Sequence, residues 1–512
     1  MSHSLVTQER GPAQSPWLHV ALLCVLVAVG FSQVYDNSYQ MDDVYRVRDN
    51  AELRKVHPVS RFFSDPQTMA TLPRLTVYRP LLPLSLSINR WLGGHSVRSY
   101  HVGNVLLHAL LVCILYGFLS ALLTQYGASL AQHARWIALT AAGLFALHPV
   151  AGIPVNYICA RDLLMMAISF FGACWLWVLS GSSTGRRQIV QRVAAACLLI
   201  VALLAKKNAV VAPLMLTALA WTVGAKSIRD KATWIHALVA ASIVSAYLLF
   251  VRYGLDISES YQFVTQKFSS YEYALTQFRV YALHYLPNLF WTAPIRQAPY
   301  IDWAQSPLEP AVLAGMAIVL ASLFLAWRWR RSKPLISFCI LAWWIMMLPT
   351  SSIVPAHAAV VHYRALPSLP FAALLASVAI WSLLPHRVAA LTSVALVLVL
   401  GCATWQANKT WRTEETLFAH SIKHGGAAMA HHNYATSLMS FDSKGAEKHL
   451  GIALERSPNY ILAHVNLGLV NINQGKIKDG IAHLNHAVSI DPSIQQTRDW
   501  QKIGLNRVDK KL

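Results

Sequence analysis

Apolar runs of about 20 residues recur along the chain, and they decide what it can fold into. WLHVALLCVLVAVGFSQV (17–34), VGNVLLHALLVCILYGFLSALL (102–123) and VAALTSVALVLVLGCATW (388–405) each approach the length needed to cross a bilayer. Backbone amides in lipid must be paired within their own segment, so such runs fold as helices. Hydrophobic residues make up 55% of the 512 and charged residues only 13%, which no soluble domain of this size shows. The expected fold class is all-α: a polytopic membrane helical bundle with a short helical tail. We count eleven spans, near 17–35, 101–123, 135–148, 161–180, 192–205, 208–225, 233–251, 309–327, 335–350, 366–384 and 388–406. The first run is too long for a cleavable leader and lacks an A-x-A site, so it reads as a retained helix.

The formal net charge of +20 sits largely in short loops, where it sets topology and meets anionic headgroups; it does not call for nucleic acid. GSSTGRRQIVQR (181–192), GAKSIRDK (224–231), WRWRRSK (327–333) and PHR (385–387) should face the cytoplasm. Alternation then places 36–100, 149–160, 252–308, 351–365 and the C-terminal tail outside. Residues 273–291 are apolar enough to lie in the interface or to hide an extra pair of crossings. The seven cysteines fall almost wholly within apolar spans and show no CxxC, so neither a structural disulfide nor a cysteine-ligated metal is expected.

After about residue 410 the composition turns soluble. HLGIALERSPNY (449–460) and HLNHAVSIDPSI (483–494) align at a shift of 34, a helix–turn–helix period ending in proline, which is the tetratricopeptide (TPR) signature. NYATSLMS (433–440) meets NLGLVNIN (466–473) at a shift of 33. The chain thus divides into a transmembrane domain, 1–409, and a TPR-like helical domain, 410–512.

The chemistry-bearing residues gather on the outer side. Asp42 and Asp43 follow the first span. Arg79 opens an apolar segment within Tyr78-Arg79-Pro80. His101, Asn104 and His108 stand at i, i+3 and i+7 on the second span, a stripe that either lines a cavity or bonds a neighbouring helix. Two turns separate its imidazoles by ~10 Å, which argues against a metal site. His148, Arg161-Asp162, Lys206-Lys207, and His362 with Arg364 mark later span ends. Cations around an acidic pair at headgroup level suit a lipid-linked phosphate, with a carboxylate as base for an acceptor hydroxyl. Lys206, Arg364 and Arg161 are expected at that phosphate. One acid should meet the acceptor, and the other should bond the sugar or fix the loop through Arg79 or His148.

The order of motifs also resembles a known family. The acidic pair is followed by YRPL, YH..N.LLH, LHP…ARDLL, K.NAV..P, a late Y…LPS and the repeat tail. This order resembles the GT-C glycosyltransferases that end in TPR repeats, the transmembrane-and-TPR O-mannosyltransferases of the endoplasmic reticulum and their bacterial relatives. The resemblance implies inverting sugar transfer on the outer face, without a cofactor or divalent metal, from a polyprenyl- or dolichyl-phosphate sugar. It places the family's acids on Asp42 and Asp43, its HP and RDLL motifs on His148 and Arg161-Asp162, and its YH..N.LLH motif on His101, Asn104 and His108. The family's Lys-Glu-Asn reads Lys206-Lys207-Asn208 here, and its Glu-Arg reads Val361-His362, with an arginine displaced to Arg364. Expected partners are the donor lipid, membrane lipids, and a protein or glycan acceptor guided by the tail. The expected location is a bacterial inner membrane, or the endoplasmic reticulum membrane in a eukaryote, with the tail periplasmic or lumenal. Two other classes fit parts of the pattern: a membrane-anchored TPR assembly factor without catalysis, and a lipid-linked saccharide transporter, which would carry charges at mid-membrane and on both faces.

Overall fold

The computed structural model describes residues 15–71, 76–223, 231–255, 269–290, 297, 299–352, 358–492 and 495–509. Most of the loop 224–231, and parts of 252–308 and 351–365, lie outside these residues. Among the described residues the regular elements are helices, with no strand beyond one isolated bridge between Pro299 and Gly426.

Helices stand at each of the eleven expected places: α1 (Pro16–Gly30), α3 (Val97–Tyr126), α4 (Ala134–Ala146), α6 (Arg161–Gly181), α7 (Gly185–Ala205), α8 (Ala212–Thr222), α9 (Lys231–Leu249), α11 (Pro310–Trp329), α12 (Pro334–Met347), α13 (Leu369–Leu383) and α14 (His386–Lys409). Between them lie α2 (Leu81–Gly93), α5 (Pro149–Asn156) and α10 (Ser270–Val280). Among the described residues, six stretches, 97–126, 158–181, 185–205, 234–254, 310–329 and 386–409, are each long and apolar enough to cross a bilayer alone. The bent pair α4–α5, with 55° between its axes, makes a seventh if counted as one. Helices α1, α12 and α13 are apolar but shorter, and α8 has 11 residues. Several apolar segments therefore stop before a full crossing, because prolines and tight turns interrupt them. The chain is a multi-pass membrane protein.

Helix α3 anchors the bundle. Its buried positions 101, 104, 105, 108, 111, 112, 115, 119 and 122 form one helical stripe, and α6 packs along it with Phe170 and Phe171 in the shared core. The break between α4 and α5 is bridged by side chains. Ala146 O receives His108 Nε2 (2.9 Å), and Leu147 O receives Thr404 Oγ1 (2.7 Å). His148 caps α5 by accepting from Val150 N (3.2 Å). These bonds satisfy the groups that a helix end leaves without partners.

The tail continues as α15 (Glu414–Lys423), α16 (Ala428–Leu438), α17 (Ser443–Arg456), α18 (Ile461–Asn473), α19 (Ile477–Ile490) and α20 (Gln495–Asp509). Helix starts shift by 33 from α16 to α18 and by 34 from α17 to α19, matching the two offsets in the sequence. Gly468 and Gly480 let α18 and α19 touch, since a Cβ at either would meet the other's carbonyl oxygen, at 2.9 and 2.7 Å. A separate apolar cluster ties the tail to the membrane domain. Val47, Leu53, Leu86, Tyr100 and Ile158 join Trp411, Leu417 and Phe418 there.

Candidate active site

The loop after α1 brings the two acids into position. Met41 adopts φ of +50°, an uncommon conformation for a residue with a side chain. The linker to the tail holds it there. Ser38 N donates to Arg412 O (3.0 Å), Gln40 Nε2 to Trp411 O (2.9 Å), and Met41 N to Glu414 Oε1 (2.7 Å). Adjacent residues diverge in such a turn, and the acids separate. Asp43 is fully buried. Its carboxylate accepts from Gln40 N (3.2 Å), Ile158 N (3.2 Å) and Cys159 N (2.8 Å), pinning the loop to the turn before α6. Burial pushes the Asp43 carboxyl up to about 7, while these hydrogen bonds pull the other way. Asp42 keeps a side chain 39% exposed, with Oδ2 3.5 Å from Arg46 Nε. Backbone N–H groups thus hold the Asp43 carboxylate and its loop, while Arg79 reaches Asp162 and His148 reaches Leu289 O.

Asp162, buried at the start of α6, is the hub of the cations. Arg79 Nη1 reaches its Oδ2 at 2.7 Å, and Lys206 Nζ reaches both oxygens at 3.0 Å. Lys206 Nζ also lies 5.8 Å from the Tyr363 ring centroid. Arg364 and Arg46 lie within electrostatic reach, acting on Lys206 and on Asp162 respectively. Burial lowers the Lys206 ammonium to about 8; Asp162 opposes that shift, and Arg79 and Arg364 add to it. Tyr157 and Tyr363, their rings 6.2 Å apart, lie within electrostatic reach of the acidic loop, and Tyr363 of Asp162 as well. Arg46, Asp42, Asp162, Arg79, Lys206 and Arg364 therefore form one network on one face of the bundle.

Other expected residues go elsewhere. Arg161 turns away from Asp162 and ties α2 and α3 to its own helix: its Nε donates to Asn104 Oδ1 (2.6 Å), and its Nη2 to Asn89 Oδ1 (2.8 Å) and Tyr100 O (2.8 Å). With its donors spent on neutral groups, it does not join Lys206 and Arg364 at a common anion position. The α3 stripe bonds three neighbouring segments: His101 Nε2 meets Asn37 O (3.1 Å) in the loop after α1, Asn104 Nδ2 donates to Pro154 O (3.1 Å) in α5, and His108 meets Ala146 O at the end of α4. His148 Nε2 faces Leu289 O (3.3 Å). Lys207 is exposed, and His362 is buried with its ring 6.4 Å from that of His284. Sequence reasoning missed Arg46, although its place four residues after Asp42 is the spacing that pairs helical charges. It also missed the chain from Asn37 through Asn156 to Asn408, each link 2.7 Å, which no local signal reveals.

No family profile matches the sequence. A stretch of 198 residues is 29% identical to Protein O-mannosyl-transferase Tmtc3 of Drosophila melanogaster, covering 35% of this chain and 21% of that protein. The chain resembles the transmembrane-and-TPR O-mannosyltransferases. Its match spans about a fifth of that relative's length. Among solved structures, ArnT from Cupriavidus metallidurans, a crystal structure bound to undecaprenyl phosphate, aligns with 96% of this chain and 76% of its own, at a TM-score of 0.40 and 14% identity.

Proposed function

We propose that the protein is a membrane glycosyltransferase that moves a sugar from a polyprenyl-phosphate donor to an acceptor hydroxyl, in the manner of protein O-glycosylation. The observation that carries this reading is the buried cationic network around Asp162 beside the half-open Asp42. Four cations (Arg46, Arg79, Lys206, Arg364) face two carboxylates (Asp42, Asp162). The excess of positive charge suits a phosphate anion, which charge-assisted hydrogen bonds hold strongly in a dry site.

In this mechanism the acceptor hydroxyl attacks the anomeric carbon from the side opposite the phosphate. The bond from that carbon to the phosphate oxygen breaks as the new glycosidic bond forms, inverting the centre. Asp42 takes the hydroxyl proton, and the departing phosphate keeps the electron pair beside Lys206, Arg79 and Arg364. Asp43 positions the loop, and Asp162 positions the cations. No metal has a step in this route. The reaction face is periplasmic or lumenal, and the tail lies on the same side. The furrow of the TPR-like tail, lined by Glu447, Glu455, Asn471, Lys476 and Asp479, guides a polymeric acceptor.

The test is transfer by the full chain in nanodiscs supplied with polyprenyl-phosphate monosaccharides, together with mass spectrometry of envelope proteins with and without the gene. Transfer that falls 10²–10⁴-fold in Asp42→Asn supports the base. No transfer from any such donor, with unchanged glycans in the cell, refutes the reading.

A further inference from the structure

The short linker between α14 and α15 is tied to the acidic loop more closely than a tether needs. Three residues just before Asp42 bond to it: Ser38 N donates to Arg412 O (3.0 Å), Gln40 Nε2 to Trp411 O (2.9 Å) and Met41 N to Glu414 Oε1 (2.7 Å). Of these three bonds, only the last uses a side chain from the tail. Glu414 is half-buried and is the first residue of α15, where a helix N-terminus favours a carboxylate. Arg48 lies within electrostatic reach of it. Its bond to the Met41 amide is therefore charge-assisted.

That amide belongs to the residue held at φ of +50°. For a side chain like methionine, such a conformation persists only where the surroundings impose it. Met41 is also the hinge of the loop. Directly after it the chain enters a helical turn, in which Arg46 N donates to Asp42 O (2.9 Å) and Arg46 Nε lies 3.5 Å from Asp42 Oδ2. The direction in which the chain leaves Met41 thus sets where Asp42 and Arg46 point. On the far side of Asp42, the Asp43 carboxylate is bonded to Ile158 N and Cys159 N. Asp42 therefore sits between two clamps, one from the membrane domain and one from the tail. The Trp411 ring adds a second link. It stacks 6.3 Å from the Tyr157 ring, which lies 6.2 Å from that of Tyr363, and Lys206 Nζ is 5.8 Å from the Tyr363 ring.

We infer that Glu414 is a positioning residue for the proposed base: by holding the Met41 amide it aims Asp42 at the acceptor hydroxyl, and it makes the first turn of the tail part of the active site. The furrow proposed to guide the acceptor is lined by α17, α18, α19 and the turn before α19, away from Glu414. Removing Glu414 therefore slows the chemical step and leaves acceptor capture in place. A tail that only recruits acceptor needs no bond to this loop. The inference rests on the sugar-transfer reading.

The test is steady-state transfer by the full chain in nanodiscs, alongside hydrogen exchange of segment 38–46 followed by mass spectrometry. Glu414→Ala should lower kcat about tenfold to hundredfold, since a misplacement of ~1 Å can cost that much. The KM for acceptor and the affinity for polyprenyl phosphate should stay near wild type. Exchange across 38–46 should quicken, and exchange in α17–α19 should not change. Glu414→Gln keeps an oxygen that accepts from Met41 N and should retain most of the turnover. Glu414→Asp draws the carboxylate back by one methylene and should fall between the two; it decides if Glu414→Ala does not fold. Native turnover in Glu414→Ala beside an active wild type overturns the inference alone. Unchanged exchange across 38–46, or a raised acceptor KM at native kcat, also overturns it. No transfer by wild type overturns the sugar-transfer reading beneath it.

Discussion

Replacing Asp162 by Asn keeps the size of the side chain and removes its charge. In the native protein, Arg79 at 2.7 Å and Lys206 at 3.0 Å both lean on this carboxylate, and the two cationic side chains are only 17% and 11% exposed. Asp162→Asn therefore deprives two nearly buried cations of the carboxylate that both contact. Breaking a buried pair by removing one partner costs about 3–5 kcal/mol. For a large domain that loss lowers the melting point by roughly 5–10 °C. Lys206→Met leaves Arg79 paired with Asp162 and should cost less. The double variant Asp162→Asn/Lys206→Met removes one of the two cations that lose this carboxylate and should melt above Asp162→Asn alone. The assay is thermal unfolding of the detergent-solubilised full chain, followed by tryptophan fluorescence. If Asp162→Asn melts within about 1 °C of wild type, or if the double variant loses the full sum of the single losses, Asp162 is not the hub described here.

Asp43 gives a pH signature. Its carboxyl is raised in the folded state to about 7, so the neutral form favours folding. That stability is present below its unfolded value near 4 and is lost as pH rises toward 7. Wild type should lose thermal stability across this window, and Asp43→Asn should lose less; identical pH profiles would refute the burial account. Lys206→Ala and Arg364→Ala should each weaken binding of a polyprenyl phosphate about 10- to 100-fold, measured by titration into nanodiscs, and unchanged affinity for both would move the anion position elsewhere. A reporter active only in the cytoplasm, fused at Leu512, should stay silent, and strong signal there would reverse the proposed orientation of the tail.

Much of the helix plan was legible because apolar length and period leave little choice in lipid. Each of the eleven apolar segments is a helix. Their lengths were less legible: the break at Leu147-His148 is covered by side chains from distant helices, and α8 begins only after the turn at 207–211. At the site, the face and the residue types could be read, but the partners could not. Arg161 and Asp162 are neighbours in sequence and enter different networks, since consecutive helical residues point about 100° apart. Asp42 and Asp43 diverge for a similar reason. Which of the two is sealed depends on the backbone of Ile158 and Cys159, 115 and 116 residues away from Asp43, and nothing local to the acids encodes that.

The elbow between α4 and α5 also bears on how the protein is made. Its two exposed carbonyls are covered by groups that emerge from the ribosome at very different times. His108 is already present when Ala146 is synthesised, but Thr404 follows Leu147 by 257 residues. At 5–20 residues per second that interval is about 10–50 s. Throughout it, the Leu147 carbonyl lacks its final partner. The early helices are therefore made with an unfinished joint, which closes only when α14 arrives.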